Sequence, residues 1–590
     1  MVIPPKFEDR ILNFLEAKLK SLPQNAKYCT LCIDEMVLKR HLYYDTKRDE
    51  LIGLHNINGE VTKEVASLGC VLMLRGVVEN WKQPIAYSFL ASPKHYKELE
   101  PWLDEVILKL FSIRIEIQAI VSDQGSNFAK YAKEVKNITS EKPYFMLQDR
   151  KIYYIFDVPH LIKCIRNNLL SNDFIYKGKL ISWEYIEELY AKQKQKDLRL
   201  IPKVTEKHIN PNNFQKMRVK YAAQIFSRSV FAAISVLVSN RSLPEDAQYT
   251  GDFMQEINNI FDVLNSSKVS CPNKYQKAFS NKQYQIGILE EAVAMFEKII
   301  AIDKKTGKNK TNQIQTFKNI QITIKSVIML SRDLQEKGIK FIYTRRLNQD
   351  CLENFFRAVR QQGGNCTDPT PIQFTRAFSK LFLRNMLQIS RTSNCQEDIC
   401  DLLQRSDTTT FLERPKSGPA HKARIPSAIA LNGETDYRFD MPAKNALTYV
   451  SGYLLYKCSK KHNCTSFNAL LQEKPNVNET TLYTHFKAYN KDSSFYGGLK
   501  VPPETFNNYT EELERAFLNN FDNVIMYRPG SSVLQILKTI DFPPICSCFP
   551  RDYLLKLFTR FRIFSTIRFN NREFREGKKC INHFIKLKHI

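Results

Sequence analysis

A chain of 590 residues is too long for one ordinary core, so roughly two to four domains are expected, and 43% hydrophobic content is enough to pack them. The 87 Lys and Arg against 61 Asp and Glu leave a formal charge of +26, which favours a polyanionic partner such as nucleic acid over a merely basic soluble protein. Secreted and membrane classes are set aside: Met1 to Arg10 lacks a signal-peptide core, no run of about 18 uncharged apolar residues stands out, and the 14 cysteines read as reduced thiols of the cytosol or nucleus.

In chain order, residues 8–22 carry Ile11, Leu12, Phe14, Leu15 and Leu19 at helical spacing, which predicts a lead-in helix within residues 1–25. Strands then dominate. Residues 28–33 predict a first, buried strand with Asp34 at its end. Residues 41–44 and 50–54 predict a second strand continued around a polar turn, and residues 69–78 with 84–90 supply a third. A helix over 95–111 leads to a fourth strand at 115–121, ending at Asp123. A helix at 128–135, a fifth strand at 151–156 and a helix at 161–170 complete the segment 26–171. This order makes a mixed α/β sheet of the RNase-H-like kind, in which one acid belongs on the first strand and another just past the fourth.

From 172 to 338 the pattern is helical, with 3.6-residue spacing over 213–238, 250–265, 285–302 and 313–336 and a polar connection at 303–311. The block reads as an all-α insertion, because residues 339–404 resume helices (351–359 and 375–387) suited to pack back on the sheet. Residues 405–440 read as a linker, and 441–590 as a mostly helical region with a basic end.

Three carboxylates stand in specific settings: Asp34 in Cys32-Ile-Asp-Glu-Met36, Asp123 in Ser122-Asp-Gln-Gly-Ser-Asn127, and Glu353 in Leu347-Asn-Gln-Asp-Cys-Leu-Glu353. Two-metal phosphoryl transfer needs such oxygen ligands around a pair of divalent cations, and on a basic chain the natural substrate is a phosphodiester. Strand-end and helix-cap carboxylates with no common site are the alternative. Asp350, one helical turn before Glu353, is open to three roles: ligand, support behind the ligands, or helix cap. Asp157 and His160 are open to support or capping.

These strings, with His41-Leu-Tyr-Tyr-Asp45, Asp157-Val-Pro-His-Leu-Ile-Lys-Cys164, Arg360-Gln-Gln-Gly-Gly364 and Ala446-Leu-Thr-Tyr-Val-Ser-Gly-Tyr453, resemble the P-element-type transposases, including the THAP-domain-bearing members, over about residues 8–590. The resemblance implies an RNase-H-like catalytic domain split by a helical GTP-binding insertion. It implies a triad of Asp34, Asp123 and Glu353 holding Mg2+ (or Mn2+), DNA ends and target as partners, nuclear localisation and a homo-oligomer. It also implies that Asp262 and Asn265, in Asp262-Val-Leu-Asn265, read the guanine of GTP, with Lys220 and Ser229 near the nucleotide; Lys220 as an exposed helix lysine stays open. With no Gly-x4-Gly-Lys-Ser/Thr loop, this would not be a P-loop site.

The family pattern also includes an N-terminal THAP zinc finger, for which residues 1–25 leave no room, so a truncated or domesticated relative that binds DNA or protein without transposing is the competing expectation. Cys458, His462 and Cys464 hint at a zinc knuckle short of one ligand, since the next position in that spacing is Phe467. Cys546, Cys548, Cys580 and His583 form a second, separate set; buried thiols and a surface histidine are the plainer reading of both. Arg560, Arg562, Arg568, Arg572, Lys578 and Lys579, interleaved with Phe561, Phe564 and Phe569, suit either phosphate binding or the solvated face of a core helix.

Overall fold

The computed structural model describes residues 3–20, 23–92, 96–195, 199–384, 401–402, 438–462, 464–467, 478–487, 500–543 and 545–576. Strand β1 (Tyr28–Val37) is apolar and buried from Cys29 to Ile33, as a strand covered on both faces must be. It does not stop at Ile33. Asp34 lies within the strand and faces Val71 in the antiparallel register. Two short strands, β2 (Tyr43–Asp45) and β3 (Glu50–Ile52), form a separate hairpin instead of one strand of the main sheet.

The chain then builds β4 (Leu54–Ile57), β5 (Glu60–Val65), β6 (Leu68–Gly76) and β7 (Trp81–Leu90). The third predicted strand is therefore an antiparallel pair, β6 and β7, with the turn at residues 77–80. Both strands are buried almost throughout, so no polar alternation marks where one ends and the next begins. After β8 (Glu116–Ser122), an unforeseen edge strand β9 (Tyr144–Leu147) pairs with β10 (Arg150–Phe156). The sheet order is β5-β4-β7-β6-β1-β8-β10-β9, with β1, β8 and β10 parallel, and Asp401–Leu402 adds to β7.

The insertion leaves through the Val158–Ser171 helix and returns along Gln315–Glu336. That long helix docks on β10: Ser326 Oγ donates to the Tyr154 carbonyl at 2.7 Å, and the Phe156 amide donates to Thr323 Oγ1 at 3.0 Å. The insertion is helical apart from a small sheet, in which β11 (Asn172–Tyr176) is flanked by β12 (Lys179–Ile181) and β13 (Ile300–Asp303). The helix expected over 285–302 stops at Lys298, and the Ile-rich run beyond it pairs with β11. The helix expected over 213–238 is broken into Asn213–Lys216, Val219–Ile225 and Arg228–Ser239. Val219–Ser239 is apolar and long enough by composition to cross a membrane (mean hydropathy 1.5), contrary to the sequence reading. The Ser227 side chain caps its second half, and Val230, Ala233, Ile234 and Leu237 are buried in the protein core.

Helices Met441–Ser459, Glu504–Val524, Pro529–Lys538 and Arg551–Arg575 share a second core around Leu454, Leu513, Phe517, Leu554 and Phe558, joined by Leu42, Tyr44 and Leu54. The β2–β3 turn locks them on: both Asp49 carboxylate oxygens accept amides at the start of Pro529–Lys538, from Gly530 at 2.7 Å and Ser531 at 2.8 Å. Asn571 exchanges two hydrogen bonds with the Leu42 backbone, at 2.8 and 2.9 Å. Gly452 lies where a Cβ would overlap the Lys500 backbone carbonyl. Gly452→Ala is expected to cost about 1–3 kcal/mol, read as a lowered urea midpoint at unchanged slope.

Arg562, offered above as a phosphate ligand, is instead a core residue. Its Nε donates to Glu514 Oε2 at 2.6 Å, with the two side chains 6% and 2% exposed. Arg560, Phe564, Arg568, Arg572 and Arg575 stay exposed on that helix, at spacings of three or four residues. Lys578, Lys579, Cys580 and His583 lie outside the described residues.

Candidate active site

Asp34 is half-buried on β1, and its Oδ1 accepts the Glu35 amide at 2.8 Å. Asp123 follows the last residue of the adjacent parallel strand β8, and its Oδ1 accepts the Gly125 amide at 2.8 Å. A Cβ at residue 125 would press on that same oxygen, so glycine keeps the turn open. Glu353 sits in the first turn of the Asp350–Gln362 helix, where the helix dipole favours a carboxylate.

Asp157 ties these pieces together. Buried at the start of Val158–Ser171, it accepts the His160 amide at 2.9 Å and caps that helix, while its other oxygen accepts the Gln349 amide at 2.7 Å. The Gln349 side chain donates to the Ile33 carbonyl, one residue before Asp34. One buried carboxylate thus joins the end of β10, the Glu353 helix and, through Gln349, β1. Both readings of Asp157 hold at once: it caps, and it supports.

The electrostatics show that the acids converge. Burial raises the Asp34 carboxyl well above the usual range, Asp123 and Glu353 add to the rise, and the Glu35 amide and His160 oppose it. His160 Nδ1 is 2.9 Å from Asp157 Oδ2, and its Nε2 is 3.9 Å from Glu353 Oε1. Burial alone would lower the imidazole, but the Asp157 contact prevails and carries it to about 9, so it is a cation at neutral pH.

Two neighbouring acids take clearer roles. Glu35, which the sequence reading passed over although it adjoins Asp34, is pushed by burial to about 7 and accepts Asn127 Nδ2 at 2.9 Å. Asp350 opens its helix without capping it and pairs with Arg345 at 3.4 Å; burial and the Asp157 charge take it to about 6.

In the insertion, Asp262 accepts side-chain amides from Asn258 (3.1 Å), Asn273 (2.8 Å) and Gln276 (3.1 Å). Asn265 ends the same helix, and its Oδ1 accepts Asn348 Nδ2 at 3.4 Å, five residues before Glu353. Lys220 and Ser229 are exposed on separate helices. Among the described residues no hydrogen bond links either of them to Asp262 or Asn265.

Domain families described as TNP-like, RNase H N-terminal domain, TNP-like, GTP-binding insertion domain and TNP-like, RNase H C-terminal domain match residues 3–136, 159–278 and 346–379 in that order. A solved structure, the Drosophila P element transposase strand transfer complex, superposes with a TM-score of 0.57 at 28% identity, covering 66% of this chain and 84% of that one. The chain belongs to the P-element-type transposase family. Transposable element P transposase of Drosophila melanogaster is 27% identical over 510 residues, 84% of this chain. DNA transposase THAP9 of Homo sapiens is 28% identical over 413 residues, 65% of this chain. The chain spans 62% and 44% of those two relatives' lengths. In this member of the family the RNase-H-like sheet is divided by the GTP-binding insertion, so Glu353 comes 230 residues after Asp123.

Proposed function

We propose that this transposase cleaves DNA and joins strands at a site formed by Asp34, Asp123 and Glu353, with GTP held in the insertion. The observation that carries the reading is the mutual charge repulsion at Asp34, whose carboxyl is raised by both Asp123 and Glu353. Among the described residues neither Asp34 nor Asp123 has a Lys or Arg ion-pair partner, and each engages one oxygen on a nearby amide. Hard oxygen donors with unbalanced negative charge fit divalent cations. Mg2+ (or Mn2+) held there would polarise the phosphodiester and activate the attacking oxygen. The protein's own part is positioning: the Glu35 and Gly125 amides orient the two aspartates, and Asp157 with Gln349 sets the helix that carries Glu353.

A +26 chain with an exposed arginine row on Arg551–Arg575 suits DNA ends and target as partners. Work on chromosomal DNA argues for the nucleus, and the need to hold two ends argues for a homo-oligomer. The test is Mg2+-dependent transfer of pre-cleaved 3′-hydroxyl ends into plasmid DNA. DNA binding without any metal-dependent product would favour the domesticated, non-transposing alternative.

For the nucleotide, the Asp262 carboxylate matches the N1 and N2 donors of guanine, and adenine offers no such donor pair. Asn265, Lys220 and Ser229 complete the proposed GTP contacts. GTP, and not ATP, is expected to raise the melting temperature by a few degrees, with Asp262→Ala removing the shift. An equal response to both nucleotides would rule out the guanine assignment.

A further inference from the structure

The C-terminal helical region holds a cluster that the transposase reading leaves unused. His462 and Cys464 follow the Met441–Ser459 helix, while Cys546 and Cys548 precede Arg551–Arg575. His462 and Cys546 are 84 residues apart in sequence, yet the four ligand atoms all lie within 4.8 Å of one another. Cys458, which completes the local Cys-x3-His-x-Cys spacing, is instead buried in the helical core. The two partial motifs are therefore halves of one set, and neither Cys458 nor Cys580 is needed to complete it.

The two His462–cysteine edges match those of a tetrahedral ion. His462 Nε2 is 3.4 Å from Cys546 Sγ and 3.5 Å from Cys548 Sγ. Around a tetrahedral Zn2+ with Zn–S of about 2.3 Å and Zn–N of about 2.0–2.1 Å, the N···S edge is about 3.5 Å. The Phe467 amide donates to Cys464 Sγ at 3.3 Å, the kind of contact that stabilises a thiolate ligand. Phe467 and Phe549 stand 5.5 and 6.3 Å from the His462 ring and give the cluster an apolar wall.

We propose that His462, Cys464, Cys546 and Cys548 bind one Zn2+ as a structural site. Four protein ligands leave no open position for substrate, so the ion's role is to hold structure. Three thiols release their protons to solvent as the metal binds, and His462 contributes neutral Nε2. The ion staples the end of Met441–Ser459 to the start of the helix that bears the exposed arginine row, and so fixes how that row is presented. The proposal stands independently of the catalytic triad.

Elemental analysis of the full chain, purified with zinc and without chelator, is expected to find about one zinc per molecule. Cys464→Ser with Cys548→Ser is expected to bring this near zero, whereas Cys458→Ala leaves it unchanged. Should the double variant fail to fold, cobalt substitution of the wild type decides the matter. Thiolate ligation gives a sulfur-to-cobalt charge-transfer band, which cobalt at the acidic site cannot produce. Chelation should lower the melting temperature, and added zinc should restore it. Zinc-free protein after reconstitution, a cobalt spectrum with no thiolate band, or full zinc retention by the double variant would overturn the proposal, as would loss of zinc in Cys458→Ala alone.

Discussion

Asp34→Asn is expected to abolish metal-dependent strand transfer, by about a thousandfold or more, while raising the melting temperature of the metal-free protein by a few degrees. The two effects share one cause. Burial, Asp123 and Glu353 hold the Asp34 carboxyl above its unfolded value, so placing a charge there opposes folding. The sign follows from linkage. An acid raised in the fold leaves stability intact below the ordinary carboxylate range and subtracts it as pH climbs toward the raised value. Asparagine cannot ionise, so the variant should show a flatter decline of stability over that window. Divalent cation should stabilise the wild type and leave Asp34→Asn nearly unchanged. Calorimetry across pH, with and without Mg2+, reads all three effects. A variant that is destabilised, or one that keeps wild-type transfer, would remove the basis for a shared metal site.

Arg562→Ala and Glu514→Ala should each cost about 3–5 kcal/mol, because each strands the other's charge among apolar side chains. The pair is nearly sealed from water, and the Arg562 guanidinium also lies 4.9 Å from the Phe517 ring centre. The double replacement Arg562→Met with Glu514→Leu should recover most of that loss, since removing both charges also removes their desolvation cost. Urea unfolding of the three variants makes the comparison. If Arg562→Ala instead weakened DNA binding at unchanged stability, the phosphate-binding role would return.

The strand succession was legible from apolar runs and their polar breaks, and Asp123 fell where expected. Reading failed where both faces of a strand are buried: β6 and β7 merged, and β1 was cut short at its first charged residue. Asp34 interrupts the hydrophobic pattern but not the hydrogen-bond ladder. Similarly, Ile299 to Ile302 fits helix or strand equally by pattern, and only pairing with β11 decides it.

By itself the sequence determined the family resemblance and the RNase-H-like order of elements and nominated the three acids, because those depend on local pattern and on strings of neighbouring residues. The tertiary structure alone decided that Asp157 clamps the Glu353 helix, that Glu35 and Asp350 join the acidic cluster, that Arg562 is a buried ion-pair partner, and that two incomplete cysteine motifs complete each other. Each of these is a contact between residues far apart in the chain. Its energy comes from burial and from which charge faces which, and no periodicity along the sequence records that.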